Sequence, residues 1–182
     1  MTSGRPLEPQ HGSPLRLIVP GWYGMTSVKW LTSIEASRQP FAGYQQAIAY
    51  HYRRDADDPG EPVSRIRVRA LMIPPGFPEF LTRRRTVEAG SVTLRGRAWS
   101  GQAEVTRVEV GADGSWSDAQ LEAPVGDYAW RGWSYEWQAE PGEHVLSCRA
   151  TDASGASQPT EQPWNHEGLG NNLVQEVRVT VR

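Results

Sequence analysis

The sequence predicts a mainly β protein whose larger part is a sandwich of two packed sheets. After residue 65, short runs alternate polar and apolar residues, which is the period of a half-buried strand. Turn-forming residues separate these runs at regular intervals, and no long stretch of helical periodicity interrupts them. About seven short strands with turns between them favour a sandwich of the immunoglobulin-like type.

The predicted strands follow one another to the end of the chain. The alternating runs span residues 65–70, 86–99, 105–110, 128–137, 144–151 and 174–181. Ile73-Pro74-Pro75-Gly76 ends the first run, and Glu88-Ala89-Gly90 predicts a turn within the second. Asp113-Gly114 is a strong hairpin signal after the third. Residues 65–182 are therefore predicted to form one domain.

The chain before residue 65 has a different character. Residues 1–13 are polar and rich in Pro and Gly, which predicts a disordered or extended leader. Residues 15–19 form a short apolar run that predicts a strand ending at Pro20-Gly21. Residues 28–36 fit either a short helix or a strand. The acidic segment 55–62 indicates an exposed connection, so residues 14–64 are predicted as a separate, mixed segment.

Composition excludes several classes of function. The formal net charge is −2, which does not indicate a nucleic-acid or membrane partner. No apolar stretch approaches the roughly twenty residues of a membrane helix. The first residues lack the apolar centre of a secretory signal, and one cysteine leaves the compartment unknown. Zinc-protease, dithiol and nucleotide-binding motifs are absent, so no metal-ligand set is predicted.

Lys29 is the lone lysine among the 19 basic side chains, and it lies in a distinctive segment. This segment contains His11-Gly12-Ser13-Pro14-Leu15-Arg16, then Val19-Pro20-Gly21, Gly24 and Ser27-Val28-Lys29-Trp30-Leu31. It strongly resembles the sulfite oxidase family of molybdenum enzymes. The resemblance continues with Gly96-Arg97-Ala98-Trp99-Ser100-Gly101, Tyr128-Ala129-Trp130-Arg131-Gly132-Trp133, Cys148-Arg149-Ala150-Thr151-Asp152, Gln158-Pro159, Trp164-Asn165 and Gly168.

The resemblance implies a domain organisation. Residues 14–64 would be the C-terminal part of the family's mixed α+β molybdopterin-binding domain. Residues 65–182 would be its immunoglobulin-like dimerisation domain, so a homodimer is expected. Tryptophan-rich sandwich surfaces also suit association. A non-catalytic dimerisation or interaction module, or a relic of such an enzyme, is therefore the alternative interpretation.

The resemblance also implies cofactor-binding residues. In the family, the region from His11 to Leu31 grips the phosphate and pterin of the molybdenum cofactor. A phosphate needs fixed positive charge and hydrogen-bond donors, which an arginine fork, a lysine point charge and a serine hydroxyl supply. His11, Arg16, Ser27 and Lys29 are therefore the predicted cofactor-binding residues. The alternative is that Arg16 and Lys29 are surface charges and His11 is a loop residue.

Two further residues are predicted to act on substrate. In the family, the arginine that matches Arg131 reaches into the substrate pocket and binds the oxyanion, which suits a bidentate guanidinium. The alternative is a structural arginine stacked among Trp130, Trp133 and Trp137. Tyr50 lies at the interval after Lys29 where the family has its active-site tyrosine. Its alternative is core packing, and its neighbour Tyr52 would share its face in a strand.

The family's molybdenum is held by a cysteine from a segment upstream of the position of His11. Cys148 belongs to a predicted strand of the sandwich and does not match that ligand. We therefore expect this polypeptide to be part of an oxidoreductase acting on sulfite or a related sulfur oxyanion, and inactive alone. A truncated form, a split gene with the cysteine half on a separate chain, and a decayed copy all stay open.

Overall fold

The computed structural model describes residues 4–161 and 163–182, and the chain divides into two compact units. The first comprises Met1–Ile66 and Trp164–Gly170, and the second comprises Arg67–Pro163 and Asn171–Arg182. Residues 1–3 of the predicted leader lie outside the described residues. The Trp164–Gly170 segment joins the first unit, where the amide of His166 donates to the carbonyl of Arg53 at 2.7 Å.

Regular structure is sparse in the first unit. It contains 3₁₀ turns at Pro9–His11 and Gly24–Thr26, a π-helical turn at Gln45–Ala49, and the paired strands β1 (His51–Tyr52) and β2 (Glu61–Pro62). The predicted acidic connection at 55–62 follows β1 and includes β2 as its last two residues, and most of its residues are exposed. Among the described residues, no helix is long and apolar enough to cross a membrane.

The strand predicted at 15–19 does not form, so that prediction is wrong. Leu17 and Leu15 each make one backbone hydrogen bond to the segment around Val28, both at 2.9 Å. Pro14 and Pro20 flank this stretch and carry no N–H group, so the ladder cannot extend at either end. Residues 28–36 are neither helix nor strand, and Trp30 adopts a φ of 52°.

The second unit is an immunoglobulin-like β-sandwich, which confirms the predicted fold class. Its strands are β3 (Arg69–Ile73), β4 (Phe77–Pro78), β5 (Arg85–Val87), β6 (Gly90–Trp99), β7 (Val105–Ala112), β8 (Ser115–Asp118), β9 (Gln120–Leu121), β10 (Arg131–Ala139), β11 (Gly142–Asp152) and β12 (Gln175–Val181). One sheet has the order β3-β6-β10-β9 and the other β4-β5-β12-β11-β7-β8. Neighbouring strands are antiparallel except β5 and β12, which run parallel.

The turn signals in the sequence place the strand ends well. The predicted hairpin joins β7 to β8, with positive φ at Asp113 (50°) and Gly114 (87°) as a type I′ turn requires. The run at 86–99 divides at the predicted turn into β5 and β6, which belong to different sheets. The first strand of the sandwich starts at Arg69, later than the alternation alone predicts.

The sandwich core is built from alternate residues of both sheets. In β6, Leu94 and Ala98 are buried while Arg95 and Arg97 are exposed. Trp133 of β10 is the largest fully buried side chain, and its register partner in the neighbouring strand β6 is Gly96. A Cβ on Gly96 would lie 2.3 Å from Cζ2 of Trp133 and 2.1 Å from the carbonyl of Leu71, so only glycine fits there. The close approach of β6 to Trp133 and to β3 therefore depends on Gly96.

Candidate functional site

The predicted cofactor-binding residues come together in the first unit. The segment 10–16 lies beside the segment 27–30, and the amide of Trp30 donates to the carbonyl of Gly12 at 3.3 Å. Lys29 Nζ donates to the carbonyl of Gln10 at 2.7 Å. The indole of Trp30 donates to the carbonyl of Pro9 at 2.9 Å. These contacts anchor the lone lysine next to His11.

Gly12 makes this close approach possible. It has a φ of 106°, which L side chains rarely adopt, and it ends the 3₁₀ turn that contains His11. A Cβ at this position would lie 2.9 Å from Cβ of Lys29 and 3.0 Å from its Cα. The glycine of the family motif therefore has a direct physical role, because any side chain here would push Lys29 away.

Arg16 bridges the two segments. Its Nε donates to the carbonyl of Ser27 at 3.3 Å, and its Nη1 donates to the carbonyl of His11 at 3.4 Å. The hydroxyl of Ser27 accepts the amide of Val19 at 3.4 Å. Lys29 and Arg16 thus donate to two consecutive main-chain carbonyls, those of Gln10 and His11 respectively. They bring two positive charges with several remaining N–H donors to this loop, and a carboxylate oxygen of Glu8 lies 4.0 Å from Nε2 of His11.

Tyr50 follows the π-helical turn and does not lie in a strand. Its amide donates to the carbonyl of Gln45, and its carbonyl accepts the amide of Val63, both at 2.9 Å. The side chain is half-buried. Because β1 begins only at His51, the strand geometry that would put Tyr50 and Tyr52 on one face is not present. Tyr50 is nonetheless held firmly by its main-chain bonds.

Arg131 opens β10 in the second unit, and polar groups surround its guanidinium. Nε donates to the carbonyl of Glu122 at 2.8 Å. Nη1 donates to Oε1 of Glu104 and to the carbonyl of Val105, each at 2.8 Å. The sequence suggested that Arg131 could stack among tryptophans. In the structure, Trp130 instead stacks on Trp99, with ring centroids 4.5 Å apart.

A cavity of about 530 Å³ lies beside Arg131. The loops before β7 and before β10 form its walls, and these bring Glu104, Asp127 and Tyr128 to the same opening as Arg131. Arg131 is the one basic residue among its described lining residues. Sequence reasoning missed Glu104, since a single carboxylate in a loop carries no local signal of its partner.

Cys148 cannot serve as an exposed metal ligand in this fold. It lies in the middle of β11 with none of its surface accessible. Burial raises the pKa of its thiol to about 12, so the thiolate that metals require is disfavoured. Within residues 4–161 and 163–182, no group of three or more His, Cys, Asp or Glu side chains is arranged to hold a metal ion.

Comparison with known families agrees with this organisation. Residues 1–45 match the oxidoreductase molybdopterin binding domain. Residues 62–182 match the Mo-co oxidoreductase dimerisation domain. Together they define the C-terminal part of a molybdenum-cofactor oxidoreductase. The chain belongs to the sulfite oxidase family of these oxidoreductases.

Individual relatives point the same way. The chain is 32% identical over 197 residues to mitochondrial sulfite oxidase of Mus musculus, covering 98% of this chain and 35% of that protein. It is 32% identical over 209 residues to NAD(P)H nitrate reductase of Hordeum vulgare, covering 100% of this chain and 23% of that protein. The chain therefore spans about a third or less of the length of these curated relatives.

A solved structure shows the same fold. The chain superimposes on the sulfane dehydrogenase SoxCD from Paracoccus pantotrophus with a TM-score of 0.79 and 24% identity. The superposition covers 96% of this chain and 46% of that chain.

Proposed function

We propose that this chain supplies part of the cofactor grip and of the substrate pocket of an enzyme that oxidises sulfite or a related sulfur oxyanion. The observation that carries the proposal is the cluster of His11, Arg16, Ser27 and Lys29 around the buried glycine of the motif. Two units of one chain then have distinct tasks. The first holds the molybdenum cofactor, and the second contributes an arginine for substrate and a surface for homodimerisation.

The residues of the first unit fit a phosphate-bearing cofactor. Lys29 offers a point charge, Arg16 retains guanidinium donors beyond its two carbonyl bonds, and His11, whose main-chain carbonyl accepts one of those bonds, adds an imidazole. A dianion gains most from charge-assisted bonds of this kind. These three side chains would hold the phosphate end, with Ser27 closing the loop behind Arg16.

Two further residues, one from each unit, are proposed to act on substrate. A guanidinium pairs with two oxygens of a sulfur oxyanion, and we assign that role to Arg131. We assign Tyr50 as the phenol that donates a hydrogen bond to substrate and assists proton transfer. A bound molybdenum centre would supply the two-electron and oxygen-transfer chemistry. Sulfite is the proposed substrate, and a sulfane or nitrate is the alternative within the family.

The thiolate ligand of molybdenum would come from outside these 182 residues. Cys148 is buried and its thiol pKa is raised to about 12, which argues against any role for it at the metal. We therefore propose that the 182-residue polypeptide alone does not turn over sulfite. The cysteine-bearing segment would lie in the same longer polypeptide or on a separate chain.

The test is molybdenum analysis and sulfite-dependent reduction of an electron acceptor. The chain alone, produced in cells that make the cofactor, should retain little metal and show no turnover. Co-expression with a cysteine-bearing half from a relative should restore both. Arg131→Gln in the restored enzyme should raise KM for sulfite strongly, whereas Arg38→Gln, which changes an exposed arginine of the first unit, should not. Stoichiometric metal with turnover in the chain alone would contradict the proposed need for an external thiolate.

A second candidate is a non-catalytic dimerisation module or enzyme relic. The observation that favours it is the location of the core, since every residue of the buried hydrophobic cluster belongs to the second unit. Size-exclusion chromatography with light scattering separates this question from catalysis. A dimer that never gains activity on co-expression would favour the non-catalytic module. A monomer would contradict homodimerisation in both the enzyme proposal and the module proposal.

A further inference from the structure

The ion pair between Arg131 and Glu104 is asymmetric. The side chain of Arg131 is only 18% exposed, whereas that of Glu104 is 58% exposed. Two carbonyls, those of Glu122 and Val105, hold Nε and Nη1 from the main chain. The arginine is therefore fixed even without the carboxylate, while Glu104 can leave by rotating into solvent.

The hydrogen bonds of Arg131 also leave one terminal nitrogen of its guanidinium, Nη2, available to bind an anion. A guanidinium has five N–H donors, two of them on each terminal nitrogen. One N–H of Nη1 binds the carbonyl of Val105 and the other binds Glu104. In the described part of the chain, Nη2 donates no hydrogen bond. If Glu104 moves away, one N–H of Nη1 becomes available in addition to the two N–H groups of Nη2.

We propose that Glu104 occupies an oxyanion position on Arg131 and is displaced when a small divalent oxyanion binds in the 530 Å³ cavity. Glu104 is then a specificity-determining residue for the site, because only an anion that outcompetes a tethered carboxylate can bind. A divalent oxyanion with paired oxygens matches the end of the guanidinium better than a halide. The inference rests on the proposed function for the identity of the anion.

The cavity contains a built-in comparison. Asp127 also lines it but makes no ion pair with Arg131. Displacement predicts that only the carboxylate bound to Nη1 competes with the anion. If the carboxylates act only through the overall negative potential of the cavity, Glu104 and Asp127 should weaken anion binding to the same extent. The two variants Glu104→Gln and Asp127→Asn each remove one charge at nearly constant shape, so they separate these explanations.

The experiment is a titration of the full chain with sodium sulfate at constant ionic strength. Binding is followed by the NMR signals of the Val105 and Gly132 amides, in a Lys29→Gln background that weakens binding at the other basic cluster. Glu104→Gln should tighten sulfate binding about fivefold, the size expected for removing a partly exposed ion pair. Asp127→Asn should change the affinity less than about twofold. Arg131→Gln should abolish the response.

The proposal is overturned if Glu104→Gln leaves the sulfate affinity unchanged, or if Asp127→Asn tightens it equally. If Glu104→Gln does not fold, Glu104→Ala provides the same comparison, because the main-chain carbonyl of Glu104, which accepts the amide of Ala153 at 2.8 Å, is retained. Failure to restore molybdenum-dependent activity on co-expression with a cysteine-bearing half would refute the proposed function while leaving the sulfate result intact.

Discussion

The side-chain oxygen of Gln158 accepts a hydrogen bond from the main-chain amide of Ala70 at 2.6 Å. The same oxygen accepts the amide of Ala150 at 3.0 Å, and the Gln158 amide group donates to the carbonyl of Asn172 at 3.0 Å. Ala70 lies in β3 and Ala150 in β11, which belong to different sheets. One buried amide therefore joins the two layers of the sandwich.

Gln158→Leu should destabilise the sandwich strongly. The substitution leaves the buried amides of Ala70 and Ala150 without an acceptor, and each such group costs about 1–3 kcal/mol. We expect the free energy of unfolding to fall by about 2–5 kcal/mol, measured by urea denaturation followed by circular dichroism. Gln138→Leu, at an exposed site of β10, is the matched control and should change it by less than about 0.5 kcal/mol. Equal effects of the two variants would contradict this bridging role.

His144 should make stability depend on pH. Its Nδ1 lies 2.7 Å from Oδ2 of Asp113 and its Nε2 lies 2.8 Å from the carbonyl of Glu140. The hydrogen bond to Asp113 raises the pKa of His144 above its ordinary value of 6.5. Protonated His144 therefore stabilises the fold fully below about pH 6.5, and this contribution is lost as pH rises through the raised pKa.

The measurement is the difference in unfolding free energy between the wild-type chain and His144→Gln, from about pH 5 to pH 9. The difference should be largest at low pH and shrink towards high pH. His166→Gln removes a histidine from an exposed loop and is the control for the loss of an imidazole that does not contact Asp113. A stabilisation by His144 that grows with pH would show that the bond to Asp113 does not favour the protonated ring.

Lys29→Gln should weaken phosphate binding at the first unit. The substitution removes one positive charge from the cluster. Glutamine keeps the Cα, Cβ and Cγ atoms that lie against Gly12. Binding of inorganic phosphate, followed by the NMR signal of the Gly12 amide, should weaken about fivefold, and less at high salt. Arg38→Gln removes an exposed charge of the same unit outside the cluster. If it weakens binding as much as Lys29→Gln, the phosphate responds to overall charge and the assigned grip is wrong.

Cys148 should be unreactive in the folded protein. Its thiol pKa is raised to about 12 by burial, so almost no thiolate exists near neutral pH. Treatment with a thiol reagent such as Ellman's reagent at pH 8 should modify it only as fast as the sandwich unfolds. The same reagent in strong denaturant should titrate one thiol per chain. Rapid modification of the native chain would show that β11 opens locally.

The regular part of the fold was predictable because its signals are local. Alternation of polar and apolar residues marks the strands of the sandwich, and Asp113-Gly114 specifies a turn with positive φ at both positions. The first unit was harder to predict. The run at 15–19 has the composition of a strand, but a strand requires a continuous partner, and Pro14 and Pro20 interrupt the pairing.

The candidate site shows the same division. The motif around His11 and Lys29 could be recognised from the sequence, because its charged residues lie within one short segment. The same segment contains Gly12, which allows Lys29 to approach closely. The placement of Tyr50 after a π-helical turn had no such signal. Its family interval gives a position along the chain, but backbone geometry decides whether it belongs to a strand.

The sequence by itself determined the family, the sandwich fold and the charged residues proposed to bind a cofactor or a substrate. Only the tertiary structure decided how those residues are held. Arg131 meets Glu104 and Val105, and Gln158 meets Ala70, across long stretches of intervening chain. The physical reason is that strand patterns depend on neighbours in sequence, whereas hydrogen-bond partners depend on sheet register and on loops folded over the ends of the sheets.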